Sequence, residues 1–183
     1  MSEATAAAAR SGGPRLTQLL PVDAIRIGET AADWRAAVRL AGDALVASGA
    51  TTPAYTDEMV ATVEQLGPYI VIAPGIALAH SRPSPAVLRA RLSLVTLLEP
   101  VAFGHPENDP VCLVIGLAAV DEEGHITALS TLAELLSDET RREGLIGAVE
   151  AREVAEILGS FEDSQAREVL SGDPTRQSAR ETS

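Results

Sequence analysis

The chain has 183 residues, of which 46% are hydrophobic, 14 are basic and 26 are acidic, for a net charge of −12. This hydrophobic fraction excludes a disordered protein and suits one domain of ordinary size. The negative charge argues against a nucleic acid as partner, because phosphate backbones bind cationic surfaces. It favours a basic protein partner or simply keeps the chain soluble.

Both ends of the chain are predicted to be disordered, over residues 1–13 and 172–183, because they are small and polar. A single folded domain is predicted over residues 14–171. We expect neither a membrane span nor a secretory signal, since no apolar run is long enough. The single cysteine, Cys112, fits the cytoplasm, and its apolar neighbours predict a buried, inert thiol.

Two helices are predicted ahead of the first strand. One begins at Thr30 as its N-cap and stops at Gly49, and the other has Thr52 as N-cap and Pro53 at its first position. The second helix is expected to end at Gly67. Apolar residues at helical spacing predict the buried positions Trp34, Val38, Ala41 and Leu45, then Tyr55, Met59, Val63 and Leu66.

Continuous apolar runs then predict strands that are covered on both faces, at residues 69–73, 76–80, 92–98 and 111–119. Helical spacing returns afterwards, with predicted buried positions at Ile126, Leu129, Leu132, Leu135 and Leu136. Two shorter helices are expected near 139–147 and 150–159. Helices before and after buried strands predict an α/β sandwich of three layers.

The chain has three histidines, and each could be a hydrogen-bonded or surface imidazole without a chemical role. His80 ends an apolar strand, which would hold a nucleophile rigidly at the end of the sheet. The loops at sheet ends are where α/β proteins place ligands. Arg82 follows it and suits an anion. His125 lies in the predicted first turn of a helix, where unpaired backbone N–H groups attract anions. His105 lies in a Gly/Pro loop.

Other chemistries have little support in the sequence. The histidines and Cys112 lack the close ligand spacing of zinc motifs, so no metal site is expected. The chain has no Gly-x-Ser-x-Gly and no phosphate-binding or dinucleotide-binding glycine pattern. Neither a hydrolase nor a nucleotide-dependent enzyme is therefore indicated, and no cofactor is expected.

Three segments resemble a known family. They are "GPYIVIAPGIALAH" at 67–80, "PVAFGHPENDPV" at 100–111 and "EGHITALSTLAELLSD" at 123–138. They are similar to the type-2 enzyme IIA domains of the bacterial sugar phosphotransferase system, the mannitol/fructose superfamily, and most similar to its ascorbate-type branch. The resemblance runs from about Leu16 to Leu158.

The resemblance implies a phosphocarrier with a mixed, mostly parallel sheet of about five strands and helices on both faces. It implies that His80 accepts a phosphoryl group from the phosphocarrier protein HPr and passes it to a cysteine of enzyme IIB. His125 maps onto a second active-site histidine that would stabilise the phosphoryl group. The implied partners are HPr, an ascorbate-type enzyme IIB and, through it, the membrane enzyme IIC, with a homodimer as a further possibility.

Three features depart from the family pattern, one of them being Ser84-Pro85-Ala86 in place of the usual acidic-glycine segment. The proline that usually precedes the active histidine is Ala79, which frees one φ angle. The arginine that mannitol-type proteins carry in the preceding helix corresponds to Thr62, with Arg82 as a substitute cation. Two alternatives therefore stay open: a regulatory phosphorelay domain of the same fold, and a protein-binding module that is not phosphorylated.

Overall fold

The structure is a computed structural model that describes residues 14–171, so both predicted disordered ends lie outside the described residues. The strands are β1 Ile25–Glu29, β2 Val71–Ala73, β3 Ile76–His80, β4 Arg91–Val101 and β5 Val111–Ala118. The helices are α1 Leu16–Leu19, α2 Trp34–Ala47, α3 Pro53–Leu66, α4 Glu122–Ser137, α5 Glu139–Ile146 and α6 Ala151–Ser171. None of the helices in this part of the chain is both long and apolar enough to cross a membrane.

The five strands form one mixed sheet in the order β1-β4-β5-β3-β2. The pairs β1/β4 and β3/β5 are parallel, and the pairs β2/β3 and β4/β5 are antiparallel. The predicted mixed five-stranded sheet is confirmed, with its pairings divided equally between the two directions. β1 was not located from the sequence, because its segment IRIGE is short and lacks the continuous apolar run used to identify the other strands; only its first residue is buried, at the edge of the sheet.

Helices cover both faces of the sheet, which confirms the three-layer α/β sandwich. Alternate residues of each strand point to opposite faces, so β3 sends Ala77 and Ala79 one way and Ile76 and Leu78 the other. The first pair packs in the apolar cluster of α2 and α3. The second pair packs in the cluster formed by α1 and the three helices that follow β5.

Several predicted boundaries and buried positions are wrong. The first long helix has Asp33 as its N-cap in place of Thr30, because the Asp33 carboxylate accepts the Ala36 N–H at 2.9 Å. Pro53 does begin α3, as predicted. Leu66 and Ile126 are 67% and 65% exposed, because helical spacing identifies a face but not where its neighbouring element ends. The strand predicted at 69–73 begins only at Val71, after a 3₁₀ turn, and α6 runs on to Ser171.

The only cysteine of the chain lies at the second position of β5. The Cys112 thiol is half-buried, less than predicted, and it donates a 3.4 Å hydrogen bond to the carbonyl oxygen of Gly75 in the β2–β3 turn. Partial burial raises the pKa of the Cys112 thiol. The reactive thiolate is therefore disfavoured, which agrees with the predicted inert role.

Gly116 lets α2 approach the sheet closely, and we expect Gly116→Ala to destabilise the fold by about 1–3 kcal/mol. A Cβ there would clash with the Ser93 hydroxyl, which donates a 2.8 Å hydrogen bond to the Ala41 carbonyl of α2. Urea unfolding would measure the loss. The matched control is Gly159→Ala in α6, where nothing lies within 4 Å of the added Cβ, so helix propensity should leave stability unchanged or higher. Equal losses in both variants would contradict this account.

Candidate functional site

His80 is the last residue of β3, at the carboxyl end of a strand that is paired on both sides. The four strand residues before it are buried, whereas His80 is only half-buried. It pairs in register with Leu117 of the parallel strand β5. Strand alternation sends its side chain to the face of Ile76 and Leu78, which is the face that α4 covers. A rigid apolar strand therefore delivers one imidazole to a partly open position.

A backbone carbonyl fixes the tautomer of the His80 ring. Nδ1 lies 2.8 Å from the carbonyl oxygen of Leu78, and since a carbonyl can only accept, Nδ1 carries the proton and donates it. Nε2 then keeps its lone pair. In the neutral ring, Nε2 is therefore the nitrogen that can act as a nucleophile.

His125 is brought to His80 by the first turn of α4. The Asp121 carboxylate caps this helix by accepting the Gly124 N–H at 2.7 Å. The His80 and His125 ring centroids lie 5.3 Å apart, with the ring planes tilted by 45°. The structure thus places together two of the three histidines, which are 45 positions apart in the sequence.

The environment of His125 keeps its ring neutral. Its pKa is lowered, first by burial and then by the neighbouring His80, while the nearby Glu122 carboxylate acts in the opposite direction. Nδ1 is buried and has no hydrogen-bond partner among residues 14–171. A buried N–H without an acceptor is costly, so the proton belongs on Nε2. His125 is therefore placed as a hydrogen-bond donor.

Two tyrosines complete the surroundings of His80, and sequence reasoning assigned neither of them to the site. The Tyr69 ring meets the His80 ring edge-on at a centroid distance of 5.8 Å and is 43% exposed. Tyr55 is fully buried, and its hydroxyl contacts the backbone of Ser81, the residue after His80. Helical spacing predicted the burial of Tyr55, but no sequence signal shows where a hydroxyl points.

Thr62 and Ser81 lie on the α3 side of the same strand end. Thr62 Oγ1 donates to the Glu58 carbonyl at 2.8 Å and lies 3.1 Å from Ser81 Oγ. Because its single proton is already donated, the Ser81 hydroxyl must donate to Thr62. Arg82 is exposed, and it makes no ion pair within residues 14–171.

His105 is separate from this site. Its loop joins β4 to β5 at the start of β5, about six residues or 20 Å along that strand from Leu117. His105 Nδ1 accepts the N–H groups of Glu107 and Asn108 at 3.2 and 3.1 Å. The ring organises its own loop.

The side chains around His80 combine a possible nucleophile with hydrogen-bond donors. No cluster of three or more His, Cys, Asp or Glu side chains is placed to hold a metal ion within residues 14–171. What the geometry offers is one nucleophilic imidazole nitrogen, one imidazole N–H donor and a helix N-terminus. This set suits the capture of a phosphoryl group, whose oxygens accept hydrogen bonds while its phosphorus accepts a nucleophile.

Comparisons with known proteins agree with this chemistry. Residues 18–160 match the family model "Phosphoenolpyruvate-dependent sugar phosphotransferase system, EIIA 2". The ascorbate-specific EIIA component of Salmonella choleraesuis is 39% identical over 137 residues, covering 74% of this chain and 89% of that protein.

Two solved structures from Escherichia coli have the same fold. The mannitol IIA crystal structure is 34% identical with a TM-score of 0.67, covering 75% of this chain and 97% of that one. The mannitol IIA in complex with phosphorylated mannitol IIB is 32% identical with a TM-score of 0.69, covering 78% and 99%. The chain therefore belongs to the EIIA 2 family of the phosphoenolpyruvate-dependent sugar phosphotransferase system, and it is a phosphocarrier of such a system.

Proposed function

We propose that His80 Nε2 carries the phosphoryl group, taking it from phosphorylated HPr and passing it to a cysteine of an enzyme IIB. The observation that carries this proposal is the 2.8 Å contact between His80 Nδ1 and the Leu78 carbonyl. It commits the ring proton to Nδ1 and leaves only Nε2 free to attack. The half-buried position of His80 at a strand end leaves that nitrogen within reach of a partner protein.

The two transfer steps balance without an added base. In the first, the Nε2 lone pair forms a bond to phosphorus while the bond between phosphorus and the donor imidazole breaks. The proton stays on Nδ1 of His80 throughout, donated to the Leu78 carbonyl. In the second, a thiolate of the acceptor attacks phosphorus, and His80 leaves as the same neutral Nδ1–H imidazole. Both steps depend on in-line positioning and on stabilisation of the phosphoryl oxygens.

His125 supplies that stabilisation in our proposal. Its neutral Nε2–H donates a hydrogen bond to a phosphoryl oxygen from a ring 5.3 Å away. A protonated His125 ring would need a counter-charge before the phosphoryl group arrives. The lowered pKa of His125 keeps the ring neutral at that stage. When the phosphoryl group arrives, its negative charge favours the protonated ring, so the attraction grows when it is needed.

The surface around the two rings suits brief contact with a protein. Tyr69 and Ile126 are exposed apolar side chains beside His80 and His125. No acidic residue lies between Glu64 and Glu99, whereas Asp121 begins an acidic run before His125. The His125 side thus exposes acidic groups, whereas the chain after His80 exposes Arg82 and has Glu58 half-buried against Ser84. The partner surface should therefore be mixed rather than uniformly basic, as the net charge alone suggested.

We further propose that the acceptor is an ascorbate-type enzyme IIB, which serves a membrane enzyme IIC in the same system. One support is the 39% identity to an ascorbate-specific relative. The other is Thr62, which stands where the resemblance to mannitol-type proteins implies an arginine. We also propose that this chain acts in the cytoplasm. A homodimer stays a prediction.

The branch assignment predicts a preference between acceptors. Single-turnover transfer from the phosphorylated chain should be about tenfold or more faster to an ascorbate-type IIB than to a mannitol-type IIB, a difference of about 1.4 kcal/mol in complementarity. Both proteins are compared at equal concentration. The control is acceptance from phosphorylated HPr, which should be independent of the IIB used. Equal rates, or a faster mannitol-type acceptor, would refute the branch while leaving the phosphocarrier role intact.

A further inference from the structure

Tyr55 places its hydroxyl where β3 and β5 end, one residue beyond His80. The Ser81 N–H donates to the Tyr55 oxygen at 3.0 Å. The Tyr55 hydroxyl has one proton, and the Leu117 carbonyl at 2.7 Å is a nearer acceptor than the Ser81 carbonyl at 3.2 Å. The Tyr55 side chain therefore bridges β3 and β5 just past their last backbone pair, which is His80 with Leu117.

This bridge satisfies backbone groups that the end of the sheet would otherwise leave unpaired. Tyr55 is 0% exposed, so the groups around its hydroxyl have little access to water. Burial is the main cause that raises the pKa of Tyr55 to about 12. The hydroxyl therefore keeps its proton, and the bridge persists across the physiological pH range.

A second contact from the same helix holds the Ser81 side chain. Thr62 lies seven residues after Tyr55, two turns along α3 and on the same face. Its oxygen accepts the Ser81 hydroxyl at 3.1 Å. Ser81 is thus fixed through both its main chain and its side chain, and His80 lies between this anchor and the paired body of β3.

We propose that Tyr55 is a positioning residue for phosphoryl transfer, because its hydroxyl fixes the strand end that holds the His80 ring in its nucleophilic form. This inference rests on the proposed role of His80. The Nδ1 contact reaches back only two residues, to Leu78, so it forms only while the backbone of 78–81 keeps its conformation. A loosened strand end lets the ring exchange tautomers, and a ring protonated on Nε2 cannot attack from that nitrogen.

The test is Tyr55→Phe, examined first without any phosphate. Nitrogen-15 NMR of the His80 ring should show the Nδ1–H tautomer in the parent and a mixture of tautomers in the variant. The maximal rate of single-turnover acceptance from phosphorylated HPr should then fall roughly tenfold, because the His80 ring is less well oriented for attack. The HPr concentration that gives half the maximal rate should change little.

Thr96→Val is the matched control, because it removes another buried hydroxyl that pairs with a backbone group. Thr96 Oγ1 accepts the Gly28 N–H at 2.9 Å, between β1 and β4 and away from His80. This variant should keep the parental tautomer and the parental rate. A parental tautomer and rate in Tyr55→Phe, or equal slowing in both variants, would overturn the proposal.

The parent protein supplies the test if Tyr55→Phe does not fold. The Ser81 amide should exchange slowly with deuterium compared with the exposed loop that follows it, and rapid exchange would overturn the bridge. The tautomer measurement needs no phosphoryl donor. A parent with the expected tautomers that accepts no phosphate from HPr would refute the role of His80 as carrier while leaving the structural effect of Tyr55 measured.

Discussion

His80→Ala is expected to abolish phosphorylation of the chain. When the parent is incubated with enzyme I, HPr and labelled phosphoenolpyruvate, it should become labelled on one histidine, and the variant should stay at background. The reason is that Nδ1 of His80 donates to the Leu78 carbonyl, so that Nε2 is the ring nitrogen left to attack, and the His80 side chain is only half-buried. The strand itself should persist, since Ile76 to Ala79 supply its buried contacts.

His105→Ala is the control for this experiment. His105 lies at the far end of β5, and its ring nitrogen accepts only the N–H groups of its own loop. This variant should accept label as the parent does. Labelling of His80→Ala at the parental rate would contradict the assignment of His80 as the carrier. Of the two alternatives that the sequence alone left open, the regulatory domain would still become labelled and the unphosphorylated binding module would not.

His125→Ala is expected to accept phosphate but to transfer it about 100-fold more slowly to enzyme IIB, the typical cost of removing one donor that stabilises transition-state charge. The variant loses the N–H donor that lies beside His80 and leaves the His80–Leu78 contact untouched. Rapid-quench measurement of single-turnover transfer would give the rate.

His125→Gln offers a sharper comparison, because its amide restores an N–H donor without the ability to become a cation. Its rate should fall between those of the parent and the alanine variant. In the parent, NMR titration should show the pKa of His125 rising on phosphorylation, since the added negative charge favours the protonated ring. Unchanged transfer in His125→Ala, together with an unchanged pKa, would remove His125 from the site.

The sequence was sufficient to predict the layers of the fold because its buried strands are continuous apolar runs. The segments at 76–80 and 111–118 contain almost no polar residue, so only a sheet covered on both faces accommodates them. β1 was not predicted, because an edge strand with one open side need not be a continuous apolar run. Its partner is 69 positions away at the Ile25–Leu94 pair, and single-sequence patterns do not report pairings at that range.

The two histidines of the candidate site were predicted from the sequence, but the groups that hold them in place were not. His80 was indicated by its place at a strand end and His125 by its place in a helix first turn, and both are properties of local sequence. The contact from Nδ1 to Leu78 depends on a side-chain rotamer, and the Tyr55 bridge depends on how α3 packs against β3. Such contacts follow from the tertiary structure, which spacing along the chain does not encode.

Locating the phosphorus atom tests the central claim most directly. The chain is labelled with nitrogen-15 in its histidine rings and phosphorylated through HPr, and phosphorus–nitrogen coupling is measured by NMR. We predict one coupled nitrogen, Nε2 of His80, with Nδ1 of the same ring still bonded to its proton and held by Leu78. Coupling to Nδ1 of His80, or to either nitrogen of His125, would contradict this account.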